Sequence, residues 1–143
     1  MLETNIDDMN PELYSYLVPQ LLAEGARDVF LTNIVMKKGR PGVLLSVLCD
    51  EQDQGVLETL LFRETTTFGI RRRSVERTAL NRRIERIPTP WGDIAVKVGM
   101  LDGAVVKIAP EYEDCRAAAQ YAGLSLQEVY QRVMSMARDQ ILC

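Results

Sequence analysis

The sequence predicts an α+β fold: a ferredoxin-like βαββαβ core over residues 1–80, with an appended β-hairpin and two C-terminal helices over 81–143 packed on it as one compact domain. Three observations carry this. Leu2, Thr4 and Ile6 alternate with Glu3, Asn5 and Asp7, the period-two pattern of a half-buried strand. Two helical stretches and two apolar runs then follow in the order of a split βαβ unit. Further on, Asp102-Gly103 separates two short β-branched runs, a type I′ hairpin signal.

In chain order, Asn10-Pro11 reads as N-cap and first helical position, because proline lacks the amide that would go unpaired there. A helix from Pro11 to about Glu24 follows, with Leu13, Leu17 and Leu21 at i+4, Tyr14, Val18 and Leu22 beside them, and Gly25 as its stop. Pro19 interrupts that pattern and predicts a kink. Asp28–Met36 reads as a strand and Val43–Cys49 as a central one. Between them lies a hairpin connection, Lys37-Lys38-Gly39-Arg40-Pro41-Gly42. A second helix is expected over Gln52–Phe62, then a strand over Ile70–Val75 built largely of arginine. Arg71 and Arg73 should share one face of that strand and Arg72 the other.

Pro88–Asp93 is turn chemistry. Strands over 94–98 and 104–108 follow, with Lys97 and Lys107 expected on opposite faces if Asp102-Gly103 is a two-residue turn. Pro110 is expected to open a helix that Gly123 closes. Ser125–Glu128 forms a capping box for the last one, whose apolar stripe is Val129, Tyr130, Val133, Met134, Ala137 and Ile141.

The 143 residues carry a net charge of −3 and 47% hydrophobic residues, the range of a soluble globular chain, with no membrane span or export signal in view. Cys49, Cys115 and Cys143 are widely separated, odd in number and lack CxxC spacing, which fits reduced thiols in a cytoplasm. There is no histidine, so chemistry must use carboxylates, cations, hydroxyls or thiols. Charge is uneven: residues 1–62 sum to −6, 63–86 to +5 and 87–143 to −2. An arginine-dense middle in an acidic chain points to a local anion site; the low aromatic content and acidic pI argue against nucleic acid.

Four stretches bear chemistry. Glu3–Glu12 packs carboxylates and carboxamides onto one face of a strand that empties into a helix N-terminus; the alternative is a solvated face favouring the helix dipole. Glu3 and Asp7 stand about 13 Å apart at about 3.3 Å per residue, so Asn5 with Asp7, or Asp7 with Asp8, is the more plausible pair for one ion. The Lys37–Gly42 turn offers cations and glycine backbone for a phosphate, or else a charged hairpin that guards a sheet edge. Arg63 with Thr65, Thr66 and Thr67 brings a cation and hydroxyls to a helix-to-strand junction, where a plain strand start is the alternative. Glu111, Asp114 and Cys115 fall on one side of a helix and offer two hard oxygens and one sulfur, without zinc spacing; acids that merely favour the helix dipole are the ordinary reading.

Together these strings resemble the C-terminal domain of the LarC family, nickel-insertion proteins of nickel-pincer cofactor biosynthesis. The matching motifs are Glu3–Glu12, Met36–Gly42, Arg63–Arg71 and Pro110–Cys115, in the family's order and spanning nearly the whole chain. The resemblance implies a CTP-dependent cyclometallase, a lyase that inserts Ni2+ into pyridinium-3,5-bisthiocarboxylic acid mononucleotide, the product being the cofactor of lactate racemase. It implies CTP with Mn2+ or Mg2+ as cofactors. It makes Lys37, Lys38 and Arg40 candidates for the triphosphate, with Arg63, Thr65, Thr66, Thr67 and Arg71 completing the pocket and Lys107 a further addition. Glu3, Asp7 and Asp8 become candidate bases, and Asp7, Glu111, Glu113 and Asp114 candidate metal ligands. Family analogy adds a homo-oligomer, trimer or hexamer. It also adds an N-terminal half with a histidine-rich stretch, not present in this sequence, as the place of nickel delivery. A non-catalytic oligomerising or regulatory small-ligand domain is the alternative function.

Overall fold

In the computed structural model, residues 1–142 are described; Cys143 lies outside them. The chain divides into two compact units, Met1–Glu76 and Arg77–Cys143.

The first unit contains β1 (Leu2–Ile6), α1 (Leu13–Ala23), β2 (Asp28–Val35), β3 (Pro41–Leu48), α2 (Gln54–Glu64) and a two-residue β4 (Arg71–Arg72). Its sheet runs β2-β3-β1-β4, with every neighbouring pair antiparallel. That is the ferredoxin-like order read from the sequence. Leu2, Thr4 and Ile6 are buried as the alternation requires, and join Leu45, Val47, Leu17, Leu21, Leu57 and Leu61 in the core between sheet and helices. Leu13, Leu22 and Val56 were expected on the helices' buried faces but are about half exposed, so each helix buries a stripe narrower than its apolar content. α1 starts two residues later than Pro11: Asn10 Oδ1 accepts the Glu12 N–H at 3.1 Å in a turn that leads into it, and Pro19 lies inside it. β4 is shorter than expected because it is an edge strand with only β1 to pair, its register continuing as Arg73 N–H to the Met1 carbonyl at 3.0 Å.

The second unit differs more from expectation. Its sheet has three strands, β5 (Asn81–Thr89), β6 (Gly92–Leu101) and β7 (Ala104–Pro110), in meander order, where a two-stranded hairpin was expected. β5 escapes a period-two reading because Ile84 and Ile87 are three residues apart and so face opposite ways; Ile87 is buried and Ile84 is exposed. Pro110 ends β7 instead of opening the helix. α3 (Tyr112–Ala122) starts after Glu111 and ends at Gly123, whose φ of 65° is the left-handed cap position. α4 (Leu126–Leu142) is capped by Ser125 Oγ, which accepts the Glu128 N–H at 3.2 Å. Val129, Val133 and Ala137 of its stripe pack with Ile87, Ile94, Val96, Cys115, Ala118 and Ala119 in a second core that shares no residue with the first. Met136, not Met134, packs against that core.

The Asp102-Gly103 turn forms as expected, with both residues at positive φ. The register beyond it does not. A β-bulge at Gly99/Met100 leaves Gly99 opposite Lys107 and Lys97 opposite Ala109. Lys97 and Lys107 therefore lie on the same face, a correction to the opposite-face expectation.

Candidate functional site

β1 sits between β3 and β4, so its polar face meets side chains from both ends of the first unit's sheet. The register Glu3↔Arg71 puts Arg71 and Arg73 on that face, and both are used: Arg73 Nη2 reaches Glu3 Oε1 at 2.9 Å and Arg71 Nη2 donates to Asn5 Oδ1. Arg72 points the other way, to Glu58 of α2 at 3.6 Å. The alternation read from three consecutive arginines is thus the arrangement found. One strand further, Arg40 Nη1 lies 3.3 Å from Asp7 Oδ2, and Asp8 Oδ1 accepts the Thr66 hydroxyl. Glu3, Asn5, Asp7 and Asp8 are matched by Arg73, Arg71, Arg40 and Thr66, so the first three chemistry-bearing strings converge on one strand.

The threonine loop is anchored from beneath. Thr4 is 1% exposed, and its hydroxyl bonds to the Thr67 hydroxyl and donates to the Gly69 carbonyl at 3.0 Å. Thr65 Oγ1 bonds the Leu61 carbonyl that ends α2 and accepts the Thr67 N–H at 3.2 Å. The loop is fixed by side chains because it carries no ladder of its own.

Opposite this loop, the β2–β3 connection folds as a tight turn with Lys38 at φ 62° and Gly39 at φ 70°. A left-handed lysine is uncommon and costs roughly 1 kcal/mol or more, the kind of strain that function retains. Gly42 is required for a different reason: a Cβ there would stand 2.8 Å from the Ile6 carbonyl and 2.8 Å from the Met36 sulfur. Among the described residues, Lys37, Lys38 and Arg63 have no carboxylate within 4.0 Å, so their charge is available to a ligand.

Between the turn and the loop lies an open groove of about 600 Å³, lined by Thr4, Asn5, Val35, Met36, Lys37, Thr67, Phe68, Gly69 and Arg71. Of the residues predicted from sequence, Asn5, Lys37, Thr67 and Arg71 line it. Arg40 and Thr66 instead hold Asp7 and Asp8, while Lys38, Arg63 and Thr65 are outside its walls. Phe68, Val35 and Met36 were missed as site residues; their signal was position, flanking the threonine run and the cationic turn. The volume suits a nucleotide, and an unpaired lysine with a threonine hydroxyl and an arginine suits its phosphates.

The second acidic string behaves otherwise. Glu111 pairs with Lys97 at 2.6 Å, Glu113 with Arg116 at 2.6 Å, and Asp114 Oδ2 accepts the Ala95 N–H at 2.8 Å, tying α3 to β6. Cys115 is wholly buried, and burial, with the Asp114 charge adding, pushes its thiol up from the ordinary value, away from the thiolate a metal needs. Among the described residues, no three His, Cys, Asp or Glu side chains come together as a metal-binding group. A divalent ion that travels with a nucleotide does not require one, since phosphate oxygens and water fill most of its shell. Lys107 stands on the second unit's sheet, in the row of Gly99 and Arg82.

Comparison with known proteins bears on this arrangement. The sequence pattern of the nickel insertion protein family matches residues 1–130. The chain belongs to that family. It is 47% identical over 133 residues to a pyridinium-3,5-bisthiocarboxylic acid mononucleotide nickel insertion protein of Clostridium kluyveri, covering 93% of this chain and 33% of that protein. It is 42% identical over 144 residues to the protein of that name from a Thermotoga species, covering 99% and 36%. The chain thus spans about a third of the length of these curated relatives. Among solved structures it resembles LarC2, the C-terminal domain of a cyclometallase involved in synthesis of the NPN cofactor of lactate racemase, in its apo form. The TM-score is 0.89 at 40% identity, over 95% of this chain and 94% of the other. A Methanopyrus kandleri protein shares the fold with a TM-score of 0.71 at 25% identity, over 96% and 84%. No helix among the described residues is long and apolar enough to cross a membrane.

Proposed function

We propose that this chain is the nucleotide-binding domain of a nickel insertion protein. It binds CTP together with Mn2+ or Mg2+ in the groove of the first unit, in support of inserting nickel, the cargo, into pyridinium-3,5-bisthiocarboxylic acid mononucleotide. The observation that carries this reading is the convergence of Lys37, Thr67 and Arg71 on a groove of nucleotide size, beside an acidic strand whose Glu3 and Asp7 are paired with Arg73 and Arg40. When bound, the nucleotide supplies phosphoryl- or nucleotidyl-transfer chemistry. The chain's own residues hold and orient it. Lys37 and Lys38 meet the phosphates from the strained turn, with Arg63 as an outer cation, and Arg71 and Thr67 close the opposite side. Asp7, two residues beyond groove-lining Asn5, meets Arg40 through Oδ2 and offers Oδ1 to the divalent ion. Glu111, Glu113, Asp114 and Lys107 belong to the second unit and form a separate proposal for metal and anion contact.

A proton must leave the ring carbon when a nickel–carbon bond forms. Glu3 and Asp7 are each engaged by a guanidinium, whereas Asp8 accepts only a hydroxyl and keeps an oxygen free, so Asp8 is the assigned acceptor. Nickel delivery is assigned to the remainder of the full-length relatives, since a chain without histidine lacks the commonest nickel-binding side chain.

Titration calorimetry with CTP, ATP, GTP and UTP, each with and without Mn2+, tests the reading. Metal-dependent binding of CTP is expected, weakened tenfold or more by replacing both Lys37 and Lys38 with alanine. No binding of any nucleotide by the unaltered chain overturns it. Phe30 and Leu31, both more than 40% exposed on β2, favour self-association as a second role. Light scattering should give the mass of a trimer or its multiple, and a monomer at micromolar concentration refutes that.

A further inference from the structure

We propose that Phe68 is the ring-stacking wall of the groove, placed to lie against a planar heteroaromatic ring of the ligand while Lys37 and Arg71 take its phosphate. This rests on the nucleotide reading above and adds a residue which that reading leaves without a role.

The side chain of Phe68 is fully exposed, at 101% of its reference area, and belongs to neither core. An exposed phenylalanine on a loose loop would carry little meaning. This one is held by its neighbours on both sides. Thr67 Oγ1 accepts the Gly69 N–H at 3.3 Å and bonds to the buried Thr4 hydroxyl, which donates to the Gly69 carbonyl at 3.0 Å. A hydrogen-bonded arch thus spans Phe68 and is fastened to the central strand. The arch keeps an apolar ring in water instead of letting it fold back onto the core.

The ring belongs to the groove's lining. Val35, 79% exposed, shares the lining with it, and Lys37 follows two residues on. A ligand that satisfies this lining needs a flat π surface for Phe68 and Val35 and an anionic group for Lys37 and Arg71. A nucleotide has both. Aromatic side chains stack on bases with little regard to sequence because every base has a π face. A pyridinium mononucleotide meets the same description, with the added attraction of a cationic ring for the negative face of the phenyl group. The shared chemistry is a phosphorylated riboside of a planar nitrogen heterocycle.

The experiment compares the unaltered chain with Phe68→Ala and Phe68→Tyr by calorimetry, in Mn2+. The probes are CTP, inorganic triphosphate and nicotinic acid mononucleotide, a stable pyridinium mononucleotide. Urea unfolding of each variant serves as the control for folding. Phe68→Ala is expected to weaken a ring-bearing ligand roughly tenfold or more, with triphosphate affinity and the unfolding midpoint unchanged and tyrosine restoring the loss. Loss confined to CTP identifies the ring as the nucleobase, and loss confined to nicotinic acid mononucleotide identifies it as the pyridinium. Unchanged affinity for both ring-bearing probes overturns the proposal. So does an equal loss for triphosphate, or unchanged affinity with a lowered mass in light scattering, which would make Phe68 a contact between copies. If the unaltered chain binds none of the probes, the nucleotide reading falls and this one with it. If it binds CTP and Phe68→Ala binds both ring-bearing probes as well as the unaltered chain does, only this one falls.

Discussion

At the scale of single residues, the burial of polar atoms separates structural positions from those kept for a ligand. Ser46 is 1% exposed, and its hydroxyl has no hydrogen-bond partner among the described residues; Glu3 and Phe30 lie opposite it on either side in the sheet register. A buried hydroxyl without a partner costs about 1–3 kcal/mol. Ser46→Ala should therefore raise stability by about 1 kcal/mol in urea unfolding, and a loss of stability would mean that the hydroxyl is used. The two described thiols make a second residue-level statement. Burial pushes up both Cys49 and Cys115 from the ordinary value of 9.0. Above that pH the unfolded chain has lost protons that the folded chain still holds, so the stability they contribute, fully present below pH 9, falls as pH rises further. The unfolding midpoint should drop as pH rises above 9.0, and replacing both cysteines by alanine should flatten that part of the profile.

At the scale of elements, legibility followed periodicity. β1 was readable because Leu2, Thr4 and Ile6 alternate without interruption, and the faces of Arg71, Arg72 and Arg73 followed from the same rule. β5 was not, because its two isoleucines break the alternation and its arginines mask a strand as a charge run. The bulge at Gly99/Met100 was marked only by the glycine itself, past the end of the apolar run, and with it went the facing of Lys97 and Lys107. The candidate site was legible as a set of strings, since Lys37, Thr67 and Arg71 were all singled out, but not as a groove. Phe68 and Val35 could be placed only once the loop and turn were seen to face each other. The turn between β2 and β3 gives the prediction at this scale. In Gly42→Ala the new methyl would meet the backbone carbonyl of Ile6, which cannot swing aside as a side chain can. A loss of about 1–3 kcal/mol is expected in chemical denaturation, together with weaker nucleotide binding as Lys37 and Lys38 shift. Full stability in that variant would show that the turn can relax outward.

At the scale of the whole molecule, two cores with no residue in common lie on either side of Glu76. Between Arg73 and Leu80 there is neither helix nor strand, and Arg77 there is exposed. Trypsin should cut in this segment before it cuts within either unit. Fragments 1–76 and 77–143 should each unfold cooperatively in urea, and the first should retain nucleotide binding alone. A fragment that fails to fold would show that the units depend on each other. The two-core plan also has a consequence for inheritance. A substitution that loosens the packing around Val133 calls for no answering change around Leu17, so the two halves can drift at different rates. A lineage could rebuild its second half extensively and still pass on the groove of the first intact.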